Sequence, residues 1–206
     1  MRARRGEGSA HERGKVDDAT LVARAATGDG AAFEALYRRH HGPLFRTALA
    51  MTRRSQVAEE VLQETFLRAY RHMGRVRLAE GASLRPWLHR ILIRLVYDWT
   101  ARRSAREGRE ATARPPLAAL APERQVERNE VDRLVSAAVD TLPFKQRIVV
   151  VLFYVHDMDL DEIAATLDVP PGTVKSRLFY GRARLRAQLT EDVRLPRGIA
   201  VRELAG

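Results

Sequence analysis

The side chains best suited to chemistry are basic, and they concentrate around the stretch DVPPGTVKSRL at residues 168–178. Residues 172–189 carry five basic side chains and no acidic one. A helix that starts after such a turn points free backbone N–H groups at a phosphate, and arginine binds phosphate oxygens and guanine edges. The chemistry indicated by this stretch is recognition of a polyanion.

No catalytic set accompanies it. The histidines have neither metal-ligand spacing nor matched carboxylates, and the chain has no cysteine, which excludes disulfides and thiolate metal sites. The acidic residues Asp157, Asp159, Asp161 and Glu162 lack the glycine and terminal glutamate of a calcium loop, and are interpreted as an N-capping lead-in to a helix. We therefore expect no enzymatic activity, no cofactor, no bound metal and no small-molecule substrate.

The elements that position the basic residues form a helix-turn-helix pattern over residues 160–189. The first helix carries its apolar residues at helical spacing, with small Ala164 at the point of close approach and Val169 plugging the gap between the helices. On the second helix, Val174, Leu178 and Leu185 share a stripe with Gly181. That stripe is predicted to face the domain, which leaves Ser176, Phe179 and Tyr180 on the outer surface. This layout predicts a second helix that enters the major groove of DNA.

Composition and breaks in the chain suggest two helical blocks. The net charge of +10 favours nucleic acid as a partner. We predict an all-α fold of two small helical domains joined by a flexible linker. The boundaries are a disordered basic tail at 1–16, a first domain at 17–106, the linker at 107–125, a helix-turn-helix domain at 126–190 and a tail at 191–206. The apolar run 148–153 fits a strand or a helix, and the proline before it favours the helix.

Neither membrane insertion nor secretion is expected. No run of about 18 apolar residues occurs, and the first 15 residues are charged without the apolar stretch of a secretory signal. A cytoplasmic location is the expectation.

Two motif sets in this order resemble the group 4 (extracytoplasmic-function, ECF) sigma factors of the sigma-70 family. The segment from TLPFKQR to the GTVKSRL helix is similar to sigma region 4. In the first block, VLQETFLRAYRHM resembles region 2.2, and SLRPWLHRILIRLVYDWTARRSAR resembles regions 2.3 and 2.4. The family often has an asparagine where this chain has Ile93-Arg94, which is a departure from its pattern.

The resemblance implies a promoter reader that works with core RNA polymerase through its β′ clamp and β subunits. It assigns −35 recognition to the second helix of the helix-turn-helix, through Thr173, Lys175, Ser176, Arg177, Tyr180 and Arg184. It assigns −10 recognition and melting to the arginine-rich helix, through Arg90, Arg94, Tyr97, Asp98, Arg102 and Arg103. Polymerase binding falls to Glu60, Gln63, Glu64 and Leu67, which form an acidic and apolar patch in a basic protein. A separate anti-sigma protein is a further expected partner.

Two other functions explain the sequence less well. A stand-alone helix-turn-helix regulator that binds operator DNA accounts for residues 160–189, but it leaves the VLQETF and tryptophan-bearing helices unexplained. A nuclease would need clustered carboxylates or a metal site, and the sequence supplies neither.

Overall fold

The computed structural model describes residues 16–107 and 130–191, and all regular structure within these two ranges is helical. The prediction of an all-α fold is confirmed. The predicted tails and linker lie outside the described residues, apart from Val16, Glu107 and Glu191 at their edges. The helices are α1 Asp18–Ala26, α2 Gly30–Thr52, α3 Ser55–His72, a 3₁₀ turn Met73–Arg75, α4 Arg85–Glu107, α5 Glu130–Thr141, α6 Phe144–Tyr154, α7 Leu160–Leu167 and α8 Pro171–Glu191.

Helices α1 to α4 form the first lobe, and short polar caps start its first two helices. The Asp17 carboxylate accepts a hydrogen bond from the Thr20 N–H at 2.9 Å, and Asp29 accepts from Ala32 N–H at 3.1 Å. Gly28 turns the chain between them with φ +94°, a left-handed conformation that glycine adopts without strain. Helix α3 begins without a side-chain cap. Arg54 is the N-cap in extended conformation without a side-chain cap, and Ser55 is the first helical residue.

The buried Asp18 carboxylate fixes α1 against the approach to α4. It accepts hydrogen bonds from the Leu84 backbone N–H at 2.7 Å, from Arg39 at 2.5 Å and from the Ser83 hydroxyl at 3.2 Å, and its other contact is His40 Nε2 at 2.9 Å. Burial alone would raise the pKa of Asp18, but the hydrogen bonds from His40, Leu84 and Arg39 outweigh it and hold that pKa well below its usual range. Asp18 is therefore an ionised residue that ties three segments together.

Helices α5 to α8 form the second lobe. The run 148–153 is helical, as the proline before it indicated, and lies within α6. Asp159 and Glu162 make a reciprocal capping box at the start of α7, which confirms the capping interpretation of the acidic cluster. Asp168 ends α7 in left-handed conformation and α8 begins at Pro171.

Close approach of α8 to α6 depends on Gly181. A Cβ atom at this position would lie 2.9 Å from Cγ2 of Val150, so a side chain here would force the helices apart. The inward stripe predicted for α8 is confirmed, because Val174, Leu178 and Leu185 are all buried.

The two lobes pack against each other, with α2 on α6 and α4 on α7. The buried Arg147 on α6 donates to the carbonyl oxygens of Asp140 and Leu142 and, at 3.4 Å, to Ala50 of the first lobe. Arg53 pairs with Asp140 across the interface at 3.6 Å. No helix of the described ranges is long and apolar enough to span a bilayer.

Candidate nucleic-acid interface

The residues predicted to face DNA on α8 lie on its outer surface. Lys175, Ser176, Tyr180 and Arg184 are exposed, while Thr173 and Arg177 are half-buried at the edges. The Ser176 hydroxyl donates to the Thr173 carbonyl at 3.0 Å, one turn earlier. From Pro171 to Thr190 the helix has no acidic residue, so its surface is suited to a phosphate backbone.

One arginine of this helix has a structural role. The Arg182 guanidinium lies over the rings of Phe153 and Tyr154, 5.4 and 5.5 Å from their centroids. This cation–π packing joins α8 to the end of α6. Arg182 therefore holds the helix in place and does not extend toward a ligand.

The residues predicted for −10 recognition divide into two groups on α4. Arg94, Asp98 and Arg102 are exposed. Arg90 instead donates a hydrogen bond to the carbonyl oxygen of Ala165 at the end of α7. Tyr97 is half-buried against Phe144 of α6, with ring centroids 4.7 Å apart.

Burial also changes the acidity of Tyr97. Desolvation raises the pKa of its hydroxyl, and the positive charge of Arg177 on α8 partly offsets that rise. Farther along α4, Arg103 lies 5.6 Å from the centroid of the Trp99 ring. The basic end of α4 and the start of α8 are thus neighbouring surfaces.

The four residues predicted to bind polymerase form one strip on α3. Glu60, Gln63, Glu64 and Leu67 follow the spacing i, i+3, i+4, i+7, which places them on the same face. Glu60, Gln63 and Leu67 are exposed, and half-buried Glu64 accepts from Arg68 Nε at 2.7 Å. We call these four residues the α3 strip.

Sequence reasoning missed a buried polar cluster between the lobes. The Thr47 hydroxyl oxygen lies 3.1 Å from Nε2 of His89 and 2.7 Å from Nε2 of His156, and the two imidazole rings are 4.7 Å apart. Nδ1 of His89 donates to the Arg85 carbonyl at 2.9 Å. No local pattern could reveal this cluster, because Thr47 and His156 are 109 positions apart.

Burial is the main reason that these histidines are neutral. Burial, with a smaller contribution from the neighbouring His156, lowers the pKa of His89 to about 3, despite the opposing effect of the hydrogen bond to Arg85. Burial also lowers the pKa of His156 to about 4, with smaller contributions from the charges of Arg46 and Arg85. Nδ1 of His89 carries its proton, since a carbonyl only accepts. Nε2 of His89 then accepts from Thr47, which accepts from Nε2–H of His156.

Two family models match the chain, one on each lobe. Sigma-70 region 2 matches residues 36–106, and Sigma-70, region 4 matches residues 132–185. The ECF RNA polymerase sigma factor SigM of Mycobacterium tuberculosis is 37% identical over 181 residues, which is 87% of each chain.

Two solved structures share the architecture. The sigma factor RpoE of Bartonella quintana, in complex with the anti-sigma factor NepR, aligns with a TM-score of 0.66 at 22% identity and covers 78% of this chain and 98% of its own. CnrH, in complex with the cytosolic domain of CnrY, aligns with a TM-score of 0.62 at 28% identity, over 85% and 98% of the two chains.

Proposed function

The chain belongs to the ECF RNA polymerase sigma factors, proteins that direct core RNA polymerase to promoter DNA, and from this membership we propose how its surfaces divide that work. The first lobe, residues 17–106, binds core polymerase through the α3 strip and reads and melts the −10 element through α4. The second lobe, residues 126–190, reads the −35 element through α8. The chain itself catalyses no reaction, and RNA synthesis belongs to the polymerase.

The observation that carries this division is the opposite chemistry of the surfaces. The α3 strip presents two carboxylates, an amide and an exposed leucine in a chain of net charge +10. Such a surface repels phosphate and suits a protein groove that has a basic rim. The outer face of α8 carries no acid before Glu191 and suits DNA. A stand-alone operator-binding regulator would have no use for the α3 strip.

The contacts between the lobes imply a movement before DNA is bound. Arg90 is held by the Ala165 carbonyl of the second lobe, and Tyr97 must leave Phe144 before it can stack on a base. We therefore assign the closed packing of the lobes to the free chain and a separated arrangement to the polymerase complex. An anti-sigma protein is the partner proposed to favour the closed arrangement, by analogy with the two complexes above.

Charge reversal on the α3 strip tests the polymerase assignment. Glu60→Lys should weaken the affinity for core polymerase, followed by co-elution, by tenfold or more. The substitution places a cation in a surface that is matched to basic groups. Glu59→Lys is the matched control: it makes the same charge change at an exposed site on α3, about 100° around the helix axis from Glu60. Equal losses in the two variants would contradict the assignment.

Neutralisation on α8 tests the DNA assignment. Lys175→Ala should reduce binding to a −35 duplex and leave co-elution with polymerase unchanged, because it removes a phosphate or base contact only. Lys145→Ala is the control, since Lys145 is also exposed but lies on α6. A loss of polymerase binding in Lys175→Ala, or an equal loss of DNA binding in Lys145→Ala, would refute the assignment of α8 to DNA.

A further inference from the structure

Two adjacent carboxylates at the start of α1 hold the short segment that leads into α4. Asp18 accepts hydrogen bonds from the Leu84 backbone N–H at 2.7 Å and from the Ser83 hydroxyl at 3.2 Å. Asp17 accepts one from the Gly81 backbone N–H at 3.3 Å. The two carboxylates lie 64 to 66 positions before the groups that they bind. The segment is therefore fixed by α1 as well as by the helix that it precedes.

The segment is exposed, yet hydrogen bonds determine its conformation. Gly81 and Ser83 face solvent, and Gly81 has φ +75°, a left-handed conformation. Exposed connecting segments are usually the mobile parts of a fold. Here the Ser83 hydroxyl donates to Asp18, while its oxygen accepts from the Arg85 N–H at 3.2 Å, at the first residue of α4. A chain of hydrogen bonds thus runs from Asp18 through Ser83 to the first turn of α4.

Helix α4 transmits the position of its start to the residues proposed to contact the −10 element. Leu84, Leu88 and Leu92 are buried, but apolar packing is non-directional, so the hydrogen bonds from α1 fix the rotation and axial position of the helix start. At 1.5 Å per residue, Arg90 and Arg94 lie about 9 and about 15 Å along the axis from Leu84. A shift of the helix start by about 1 Å moves both arginines, and a misplacement of that size costs up to about a hundredfold in rate.

We propose that Asp18, supported by Asp17, is a positioning residue for the opening of the −10 element, and that it acts through residues 81–84 and the start of α4. The proposal rests on the −10 role given to α4 above. Asp18 is 6% exposed and does not reach DNA itself. Opening a duplex requires bases to be unstacked and unpaired, which contacts with the protein must offset. A surface that is already ordered loses no free energy to ordering, so fixing the helix start favours the opened state.

Asp18→Asn tests this role, because it keeps the size of the side chain and leaves one oxygen to accept the hydrogen bonds that two carboxylate oxygens now accept. The variant is assembled with core polymerase on a promoter that the wild-type complex transcribes. We expect the rate of open-complex formation, followed by the permanganate reactivity of unpaired thymines, to fall about tenfold or more. On the same promoter with a mismatched, already opened −10 region, the transcript yield should match that of the wild type, because the step that Asp18 assists is no longer required.

Asp29→Asn is the matched control. The Asp29 carboxylate also caps a helix of the first lobe, through the Ala32 N–H at 3.1 Å, and also binds an arginine, Arg24 at 2.9 Å, but both partners lie within five positions of it. Asp29→Asn should lower the melting temperature and leave the opening rate at the wild-type value in assays far below that temperature. Ser83→Ala removes the hydroxyl that links Asp18 to α4 at an exposed position, and it should slow the opening of the duplex promoter without changing the yield from the opened one.

A wild-type opening rate in folded Asp18→Asn would overturn the proposal, and the same result in Ser83→Ala would overturn it if Asp18→Asn does not fold. Equal losses on the duplex and the opened promoter, or an equal slowing by Asp29→Asn, would also overturn it and leave Asp18 with a structural role only. Failure of the −10 role itself is distinguishable, because the wild-type complex would then bind core polymerase and the promoter without any permanganate reactivity.

Discussion

Lowering the pH from 7.5 to 5 is expected to separate the two lobes. The histidines buried between the lobes are neutral in the closed state, and protonation favours a state in which they reach water. His89 and His156 are 0% and 3% exposed, and their pKa values are lowered to about 3 and about 4. In a separated state that returns them to water, both pKa values would be near 6.5. Between the lowered pKa values and 6.5, the separated state therefore binds more protons than the closed state.

The sign and size of the effect follow from this difference. A depressed pKa stabilises the closed state above pH 6.5, and that stabilisation is lost as the pH falls toward the lowered pKa. At pH 5, one and a half pH units below 6.5, each histidine that opening exposes contributes about 2 kcal/mol, at 1.36 kcal/mol per unit. Both together give about 4 kcal/mol, or a population change of about a thousandfold. At His156, the positive charges of Arg46 and Arg85 contribute to the lowered pKa, and the negative charge of Asp157 opposes them.

The distance between the lobes is the quantity to measure. The chain has no cysteine, so Ala23→Cys on α1 and Ala187→Cys on α8 provide two exposed sites for spin labels, one on each lobe. We expect a single short distance at pH 7.5 and a broad, longer distribution at pH 5. In His89→Gln/His156→Gln, which keeps polar side chains without titration, the change between these pH values should disappear. An equal change in this variant, or none in the wild type, would show that protonation of these histidines does not separate the lobes.

Three individual contacts are expected to have measurable effects on stability or on the packing of the lobes. Gly181→Ala should destabilise the second lobe by about 1–3 kcal/mol in urea unfolding, since its Cβ would meet Val150 at 2.9 Å; a neutral result would show that α6 and α8 can move apart freely. Asp18→Ala should cost about 3–5 kcal/mol at pH 7 and less below pH 3.8, where the unfolded carboxyl takes up a proton; a loss independent of pH would contradict the ionised state. Thr47→Val should lengthen the lobe-to-lobe label distance already at pH 7.5, because it leaves Nε2 of both histidines without a partner, and an unchanged distance would contradict the role of Thr47.

The second lobe was the more predictable part of the fold, because its signals are local. The helical wheel predicted that Val174 and Leu178 face inward, and the acidic residues Asp159 and Glu162 predicted the start of α7. Each inference needed only residues within about two turns of one helix. The same locality applies to the α3 strip, whose four residues share a face through their spacing alone.

Local sequence patterns did not predict burial or capping where contacts with residues distant in sequence determine them. Tyr37 follows the buried Leu36 on α2, yet it is 39% exposed, and its ring contacts Phe66 and His41 at the surface. Ser55 is a common capping residue, but the chain enters α3 through an extended Arg54. Periodicity says which face of a helix is buried and not which partner covers it.

The packing between lobes is the clearest case of this limit. Arg90 and Tyr97 were assigned to DNA from the sequence, and both contact the second lobe in the closed arrangement. Their partners, Ala165 and Phe144, lie on separate helices beyond the linker. A contact of this kind depends on the surfaces of two folded lobes. No single stretch of sequence determines both surfaces.

Reconstituted transcription is the decisive measurement of the sigma-factor role. Purified chain is added to bacterial core RNA polymerase on a library of promoter fragments, and run-off transcripts are sequenced. We expect transcripts that start at defined promoters only when the chain is present, and that are lost with Glu60→Lys but not with Glu59→Lys. A chain that neither co-elutes with core polymerase nor supports initiation at any promoter of the library would contradict it.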